Sequence, residues 1–508
     1  MMKNNKKNKL FWAVIGASLT MVAHTEAYGQ MRKKETITDE KVLKELVSKV
    51  EHNFDSLSFH KELIEGMGTN NPKLVSYYDK WIKANPNNAN IPFALGEAYE
   101  NEESPKAKTY LLKAVDINPK FTEAWGGLWI DAERWGDNKL ALDYLKKAVD
   151  SDPSNPNYAF YYASSFSNID TEKYKVLSQE VAQKFNTSER GAQALYWLAV
   201  RSAGNAYKES IFKQLKSQFD PQKFGWSSSG MNTYFDLLVG QKRYAEAKDL
   251  ATEMVAKTGQ DGWKEKEQNV AQLIQYSKEL DKGNQAQALT LLDQIKVSKY
   301  APLYRMLPIY KADILVSLGK GAEAYAQLLA FYAKSPSNEL RAKIAQVAGK
   351  IGKDSYDKDI MQVLVANATP AAGFELKNYE GGTTSLQDLK GKVVLLTYWF
   401  PGCGPCRGEF PHFQKVVDKF TKDQLSYVGI NIVPEQNDYV LPFLKSTKYS
   451  FYPLEEKEGR VKGNLDNRGA APVNFLLDKQ GRIIFSNFRT DQDNQDELEL
   501  MINESLKI

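Results

Sequence analysis

The stretch that decides the fold is KVVLLTYWFPGCGPCRGEFPHFQKVVDKF, residues 392–420. Residues 392–400 form a nearly continuous apolar run, the pattern of a central strand buried on both faces. The run feeds into PGCGPC, and the residues from Arg407 onward carry apolar side chains at helical spacing. Strand, turn and helix therefore meet at the two cysteines of the 508-residue chain, Cys403 and Cys406. This order puts Cys403 in the first turn of a helix, where free N–H groups and the helix dipole favour a thiolate. Cys406 can then reach back one turn. Gly404 and Pro405 suit the turn and the helix start. Trp399 and Phe400 are expected to pack beneath the loop, and Pro411 to kink the helix.

Further along, LSYVGINIV (425–433) reads as a second buried strand. NFLLDKQGRIIF (474–485) reads as a hairpin turning at Lys479 to Gly481, and DELELMINESL as a closing helix. Together these elements predict a small α/β domain with a mixed sheet.

The run WFPGCGPCRGEFP and its lead-in GGTTSLQDLKGKVVLLTYW resemble the TlpA/ResA-like branch of the thioredoxin family, the envelope thiol–disulfide oxidoreductases. The pattern S-L-x-D-L-K-G-K-x-V-L-L of that branch runs from Ser385 to Leu396. The resemblance covers about residues 370–508. It implies that Cys403 is the attacking thiol, Cys406 the resolving thiol, and the pair a redox-active disulfide. It also implies that Pro472 is the cis-proline facing that disulfide and that Ala471 offers backbone pairing to substrate; Trp399 is grouped with them as a substrate-contact residue. Glu409 matches a carboxylate kept near the resolving thiol. Thioredoxin itself has a buried aspartate six residues before its first cysteine. Thr397 stands there in this chain, so Glu409 is expected to handle the proton. Two departures flank the expected substrate surface: Gly402 where the family commonly has tryptophan, and Val473 with Asn474 after the proline.

Residues 35–365 carry apolar residues three and four apart, the signature of helices. The segments ending at Pro119 and Pro153 repeat with a period of 34 and place Ala107, Leu111, Ala114 and Ala141, Leu145, Ala148 in register. They resemble degenerate tetratricopeptide (TPR) repeats: Trp125 and Leu128 match, whereas Trp129 replaces the expected glycine. Such arrays often bind a partner. The aromatic cluster of Trp125, Trp129, Trp135, Tyr158, Phe160, Tyr161 and Tyr162 could line that surface, although packing between helices is the favoured reading.

Lys3, Lys6, Lys7 and Lys9, the short apolar run 10–23 and AYG before Gln30 read as a cleavable secretory signal. The apolar run falls short of the ~20 residues a spanning helix needs, and no cysteine is placed for a lipid anchor. Localisation is therefore expected across the inner membrane, in the periplasm. Net charge is +4, and the remainder is near neutral without residues 1–29, which argues against a nucleic-acid partner. Two cysteines and the histidines His24, His52, His60 and His412 offer no four-ligand zinc set. No metal and no cofactor are expected. Phe400 and Leu396 occupy positions where a peroxiredoxin would need threonine or serine, and proline.

These readings give a multidomain chain, an all-α helical-repeat (TPR-like) array followed by an α/β thioredoxin fold. The expected divisions are a signal peptide at 1–29, helical repeats at 30–365 and a thioredoxin-like domain at 366–508. The expected function is an extracytoplasmic thiol–disulfide oxidoreductase, a reductase by its Gly-Pro dipeptide. Its partners would be protein disulfide or dithiol clients, an upstream electron donor, and a protein held by the helical array. The competing class is a helical binding scaffold with a weak or inactive redox domain.

Overall fold

The computed structural model describes residues 36–299, 301–456 and 463–508. The expected signal, residues 1–29, lies outside them. Helices follow one another from Glu40–His52 to Tyr356–Asn367, and strands begin at Thr369. Among the described residues, no helix is long and apolar enough to cross a membrane.

The chain divides into two compact units, and the division does not follow the change from helix to strand. One holds Ala159–Ser335 and Glu339–Tyr356; the other holds Gly29–Tyr158, Pro336–Asn338 and Asp357–Ile508. The first unit is helical, with Leu195, Leu198, Phe212, Leu215 and Met231 buried between its helices. Arg243 ties two of these helices by ion pairs to Glu209 and Glu246, each at 2.5 Å. Hydrogen bonds from Arg243, then Lys213, hold the Glu209 carboxyl down to about 2.

The second unit begins with helical pairs. Asn90–Asn101 packs on Ala107–Ile117, and Thr122–Arg134 packs on Asn138–Ser151. A Cβ at Gly96 would stand 2.9 Å from Leu111 Cδ2 and 3.0 Å from its backbone N, so the first pair approaches closely only with glycine there. Ala107, Ala114, Ala141 and Ala148 are all buried, the role their repeat positions predict. Trp125 packs against Tyr144, with ring centroids 5.7 Å apart, and its Nε1 donates to the Pro119 carbonyl at 2.9 Å. It is thus a packing residue, in keeping with the favoured reading.

The α/β part of this unit has the thioredoxin fold, built on one mixed sheet. Its strands are β1 (Thr369–Pro370), β2 (Glu375–Asn378), β3 (Thr383–Ser385), β4 (Val393–Trp399), β5 (Leu425–Asn431), β6 (Tyr452–Glu455), β7 (Val473–Leu477) and β8 (Arg482–Ser486). They lie in the order β1-β8-β7-β4-β5-β6-β2-β3. All seven residues of β4 are buried, as its apolar run requires. It pairs parallel to β5 and antiparallel to β7. Val394, Leu396 and Tyr398 face one core layer with Val428, Ile430, Phe475 and Leu477. The alternate side of the strand carries Trp399 toward Phe410, Phe443 and Phe451. β7 and β8 form the predicted hairpin, with Gly481 at φ 77° in its turn. The closing helix is Gln495–Lys507.

Candidate active site

The buried strand β4 ends at Trp399, and four residues later Cys403 caps the helix Gly404–Val417. Cys403 takes an extended conformation, and its Sγ accepts from the Cys406 N–H at 3.2 Å. The two cysteines form a disulfide, with their Cα atoms 5.3 Å apart. Pro405 sits in the first turn, where its missing N–H costs no helical bond. The helix continues through Pro411 to Val417. Cys403 is only 2% exposed and Cys406 is fully buried, whereas Gly404 and Pro405 are open to solvent.

Trp399 requires a correction. It is 0% exposed beneath the loop, its ring 4.8 Å from Phe451 and 5.5 Å from Phe410. It therefore supports the loop and presents no face to a substrate. The Ala471–Pro472 peptide bond is cis; Ala471 is half-buried and Pro472 buried.

Glu409 lies three residues after Cys406, hence on the same face of the helix. It is buried, and three donors converge on it. Asn474 Nδ2 donates to Oε2 at 3.1 Å, the Thr490 N–H to Oε1 at 3.1 Å, and Arg489 Nη1 to Oε2 at 3.3 Å. Burial pushes the carboxyl above the usual range, and Arg489 and the hydrogen bonds only partly oppose it. Asn474 stands opposite Thr397 in the β4–β7 register. Thr397 Oγ1 and Asn474 Oδ1 are both buried without a protein partner. A polar pocket thus surrounds Glu409 where position 397 itself brings no charge.

The helical pairs of the same unit reach this loop. The Gly402 N–H donates to Gln436 Oε1 at 2.6 Å, and Gln436 Nε2 donates to Glu103 Oε2 at 2.7 Å. Arg407 Nη1 pairs with Glu133 Oε2 at 2.7 Å. Arg134, 6% exposed, pairs with Glu100 at 3.1 Å and Glu103 at 3.7 Å. A Cβ at Gly402 would meet Gln436 Nε2 at 3.1 Å and Arg134 Nε at 3.5 Å. A tryptophan at 402, as the family commonly has, would have to displace the Gln436 and Arg134 side chains that stand there. Behind them, the Tyr439 hydroxyl donates to Asp131 Oδ1 at 2.9 Å, and Trp135 meets the Tyr439 ring at 5.0 Å. Sequence reasoning did not single out Glu103, Glu133, Arg134, Gln436, Arg489 or Thr490 for the site. The one available signal was that Arg134 follows Glu100 by 34 residues, the repeat period.

Comparison with known proteins places the likeness in this part of the chain. The AhpC/TSA family matches residues 368–486. The thioredoxin-like protein YneN of Bacillus subtilis is 34% identical over 125 residues, 24% of this chain and 71% of its own. Thiol-disulfide oxidoreductase ResA of Bacillus cereus is 29% identical over 143 residues, 27% of this chain and 79% of its own. The crystal structure of a putative thiol:disulfide interchange protein DsbE from Chlorobium tepidum is 26% identical, covers 27% of this chain and 96% of its own, and superposes with a TM-score of 0.24.

Proposed function

The chain belongs to the TlpA/ResA-like thiol–disulfide oxidoreductases of the thioredoxin family, and on that premise we propose that Cys403 and Cys406 reduce protein disulfides in an extracytoplasmic compartment. The observation that carries this reading is the disulfide at the start of the Gly404–Val417 helix, with buried Glu409 one turn beyond Cys406. In the reduced protein, the Cys403 thiolate attacks one sulfur of a client disulfide, and the other client sulfur leaves as a thiolate. The Cys406 thiolate then attacks Cys403 Sγ, which forms the Cys403–Cys406 disulfide and expels the second client thiolate. Two electrons pass from the pair to the client, and an upstream dithiol donor restores the pair. Helix N–H groups and the helix dipole favour the Cys403 thiolate. Glu409 accepts the Cys406 proton, a role that a carboxyl with a raised pKa suits near neutral pH. Ala471 and Pro472 border the client segment. The helical pairs orient a client or donor, and residues 1–29 serve as the export signal.

The match to AhpC/TSA does not favour a peroxidase, because Phe400 stands where that chemistry needs a hydroxyl. The deciding experiment is equilibration of the purified mature chain with redox buffers. A reversible couple near about −270 mV marks a reductase, and one near about −120 to −180 mV an oxidase or isomerase. A pair that cannot be cycled would overturn the reading in favour of a scaffold.

A further inference from the structure

We infer that the turns at Glu100–Glu103 and Glu133–Gly136 form a built-in cap over Cys403, which must lift before a protein disulfide can be attacked. The inference rests on the oxidoreductase reading and adds a control on access to the same dithiol.

The two turns bracket the cysteine pair from both sides in sequence. Before Cys403, Gln436 joins the Gly402 N–H to Glu103, and Arg134 closes the space beside Gly402. After Cys406, Arg407 pairs with Glu133. A third line of contacts runs along the helix Asn437–Thr447. Tyr439 donates to Asp131, and the Ser446 hydroxyl donates to the Gly136 carbonyl at 2.9 Å. The turn geometry is fitted to this docking. Gly136 sits at φ 71°, and Glu103 holds a left-handed φ of 56° that few residues other than glycine adopt.

Gly404 and Pro405 remain open, so the outer edge of the loop meets solvent, but Cys403 is 2% exposed. Attack on a disulfide needs the sulfur nucleophile and both target sulfurs in line. A folded client cannot bring its disulfide to Cys403 while the turns stay seated. The contacts that hold them are an ion pair, a few hydrogen bonds and the ring contact of Trp135 with Tyr439, a small set that can open locally without unfolding either element.

The test measures access to Cys403 and needs no turnover. In the full mature chain carrying Cys406→Ser, Cys403 is alkylated either with N-ethylmaleimide or with a maleimide on a long polyethylene-glycol chain. The ratio of the two rates cancels changes in thiol reactivity and reports steric access. With the cap in place, the bulky reagent lags. Glu133→Arg, which sets two cations face to face at Arg407, is expected to raise the bulky-to-small ratio about five- to tenfold. Glu133→Arg with Arg407→Glu restores the pair and is expected to return the ratio toward its starting value. Glu103→Ala, which frees Gln436 and removes the longer of the two Arg134 ion pairs, serves as the second and milder variant, with far-ultraviolet circular dichroism confirming that each variant is folded. A ratio that is the same in the parent, in Glu133→Arg and in Glu103→Ala overturns the cap. A failed redox couple with a cap-dependent ratio would instead remove the oxidoreductase reading and leave the cap standing.

Discussion

Glu409 Oε2 accepts a hydrogen bond from Asn474 Nδ2 at 3.1 Å, and Asn474 in turn faces Thr397 across the β4–β7 ladder. The pairing joins the helix that starts at the cysteines to the strand that follows the cis Ala471–Pro472 bond. It also places a carboxylate above a strand position that is neutral in this chain.

Glu409→Gln tests the proton-transfer role. Burial raises the Glu409 carboxyl above its ordinary range. The folded protein therefore binds more protons than the unfolded chain between the ordinary carboxylate value and the raised one. Stability from this group is present at low pH and is lost as pH rises through that interval. The urea midpoint of the wild type should fall across the interval, and in the glutamine variant that fall should be absent. In activity, resolution of a mixed disulfide should slow about 10²-fold in the variant and lose the pH limb that reports a base. Stopped-flow rates over a pH series check both statements; an unchanged limb would assign the proton to another group.

Cys406→Ser should trap the client. With no resolving thiol, Cys403 remains joined to the client sulfur, and a reducible adduct accumulates on non-reducing gels. Cys403→Ser should form none, because Cys406 is fully buried and cannot make the first attack. Equal trapping by the two variants would reverse the assigned order of the thiols.

How far this site could be read from sequence depended on how local its causes are. The uninterrupted run from Val393 to Trp399 and the Cys-Gly-Pro-Cys turn specify strand, cap and helix with neighbouring residues alone, and both appear where expected. The hairpin at Gly481 was legible for the same reason. β1 has two residues, and β2 alternates between exposed and half-buried positions, so neither leaves a hydrophobic pattern to find. The partners of Glu409 lie 65 to 81 residues away, and those of Gln436 and Arg407 in the helical pairs lie 333 and 274 residues away. No periodicity encodes contacts of that range. Trp399 was misplaced on the substrate surface because proximity to Cys403 in sequence does not fix which face of β4 a residue takes; the pleat turned it into the core.

Gly136→Ala probes the seating of the helical turn. Gly136 has φ 71°, and a Cβ there would stand 3.0 Å from Thr447 Cγ2 and 3.1 Å from Phe443 Cδ2. The left-handed backbone alone costs a residue with a side chain about 1–2 kcal/mol, and the crowding adds to it. Urea unfolding should register the loss. The bulky-to-small alkylation ratio at Cys403 should rise together with it, since the strain can be relieved by moving the turn off the Asn437–Thr447 helix.

The same change, glycine to alanine, should have opposite signs at positions 429 and 408. Gly429 lies in β5, opposite Thr397 of β4, and a Cβ there would meet Phe451 Cδ2 at 2.5 Å, Phe451 Cε2 at 2.8 Å and Trp399 Nε1 at 2.9 Å. Those rings are enclosed by Phe410, Phe443 and Tyr427, so they have no free direction in which to move. Gly429→Ala should destabilise the unit by about 1–3 kcal/mol through overpacking. It should also change the emission of Trp399, whose ring supports the cysteine loop. Gly408 is exposed in the helix that starts at Gly404, and a Cβ there meets nothing within 4 Å. Alanine there keeps the helical backbone and reduces the entropy of the unfolded chain, which should add about 0.5–1 kcal/mol. Urea midpoints of the two variants against the parent decide the matter. A stabilising shift in both would mean that the packing around Trp399 yields more readily than its enclosure by aromatic rings implies, and a destabilising shift in both would mean that the helix at Gly408 does not gain from alanine.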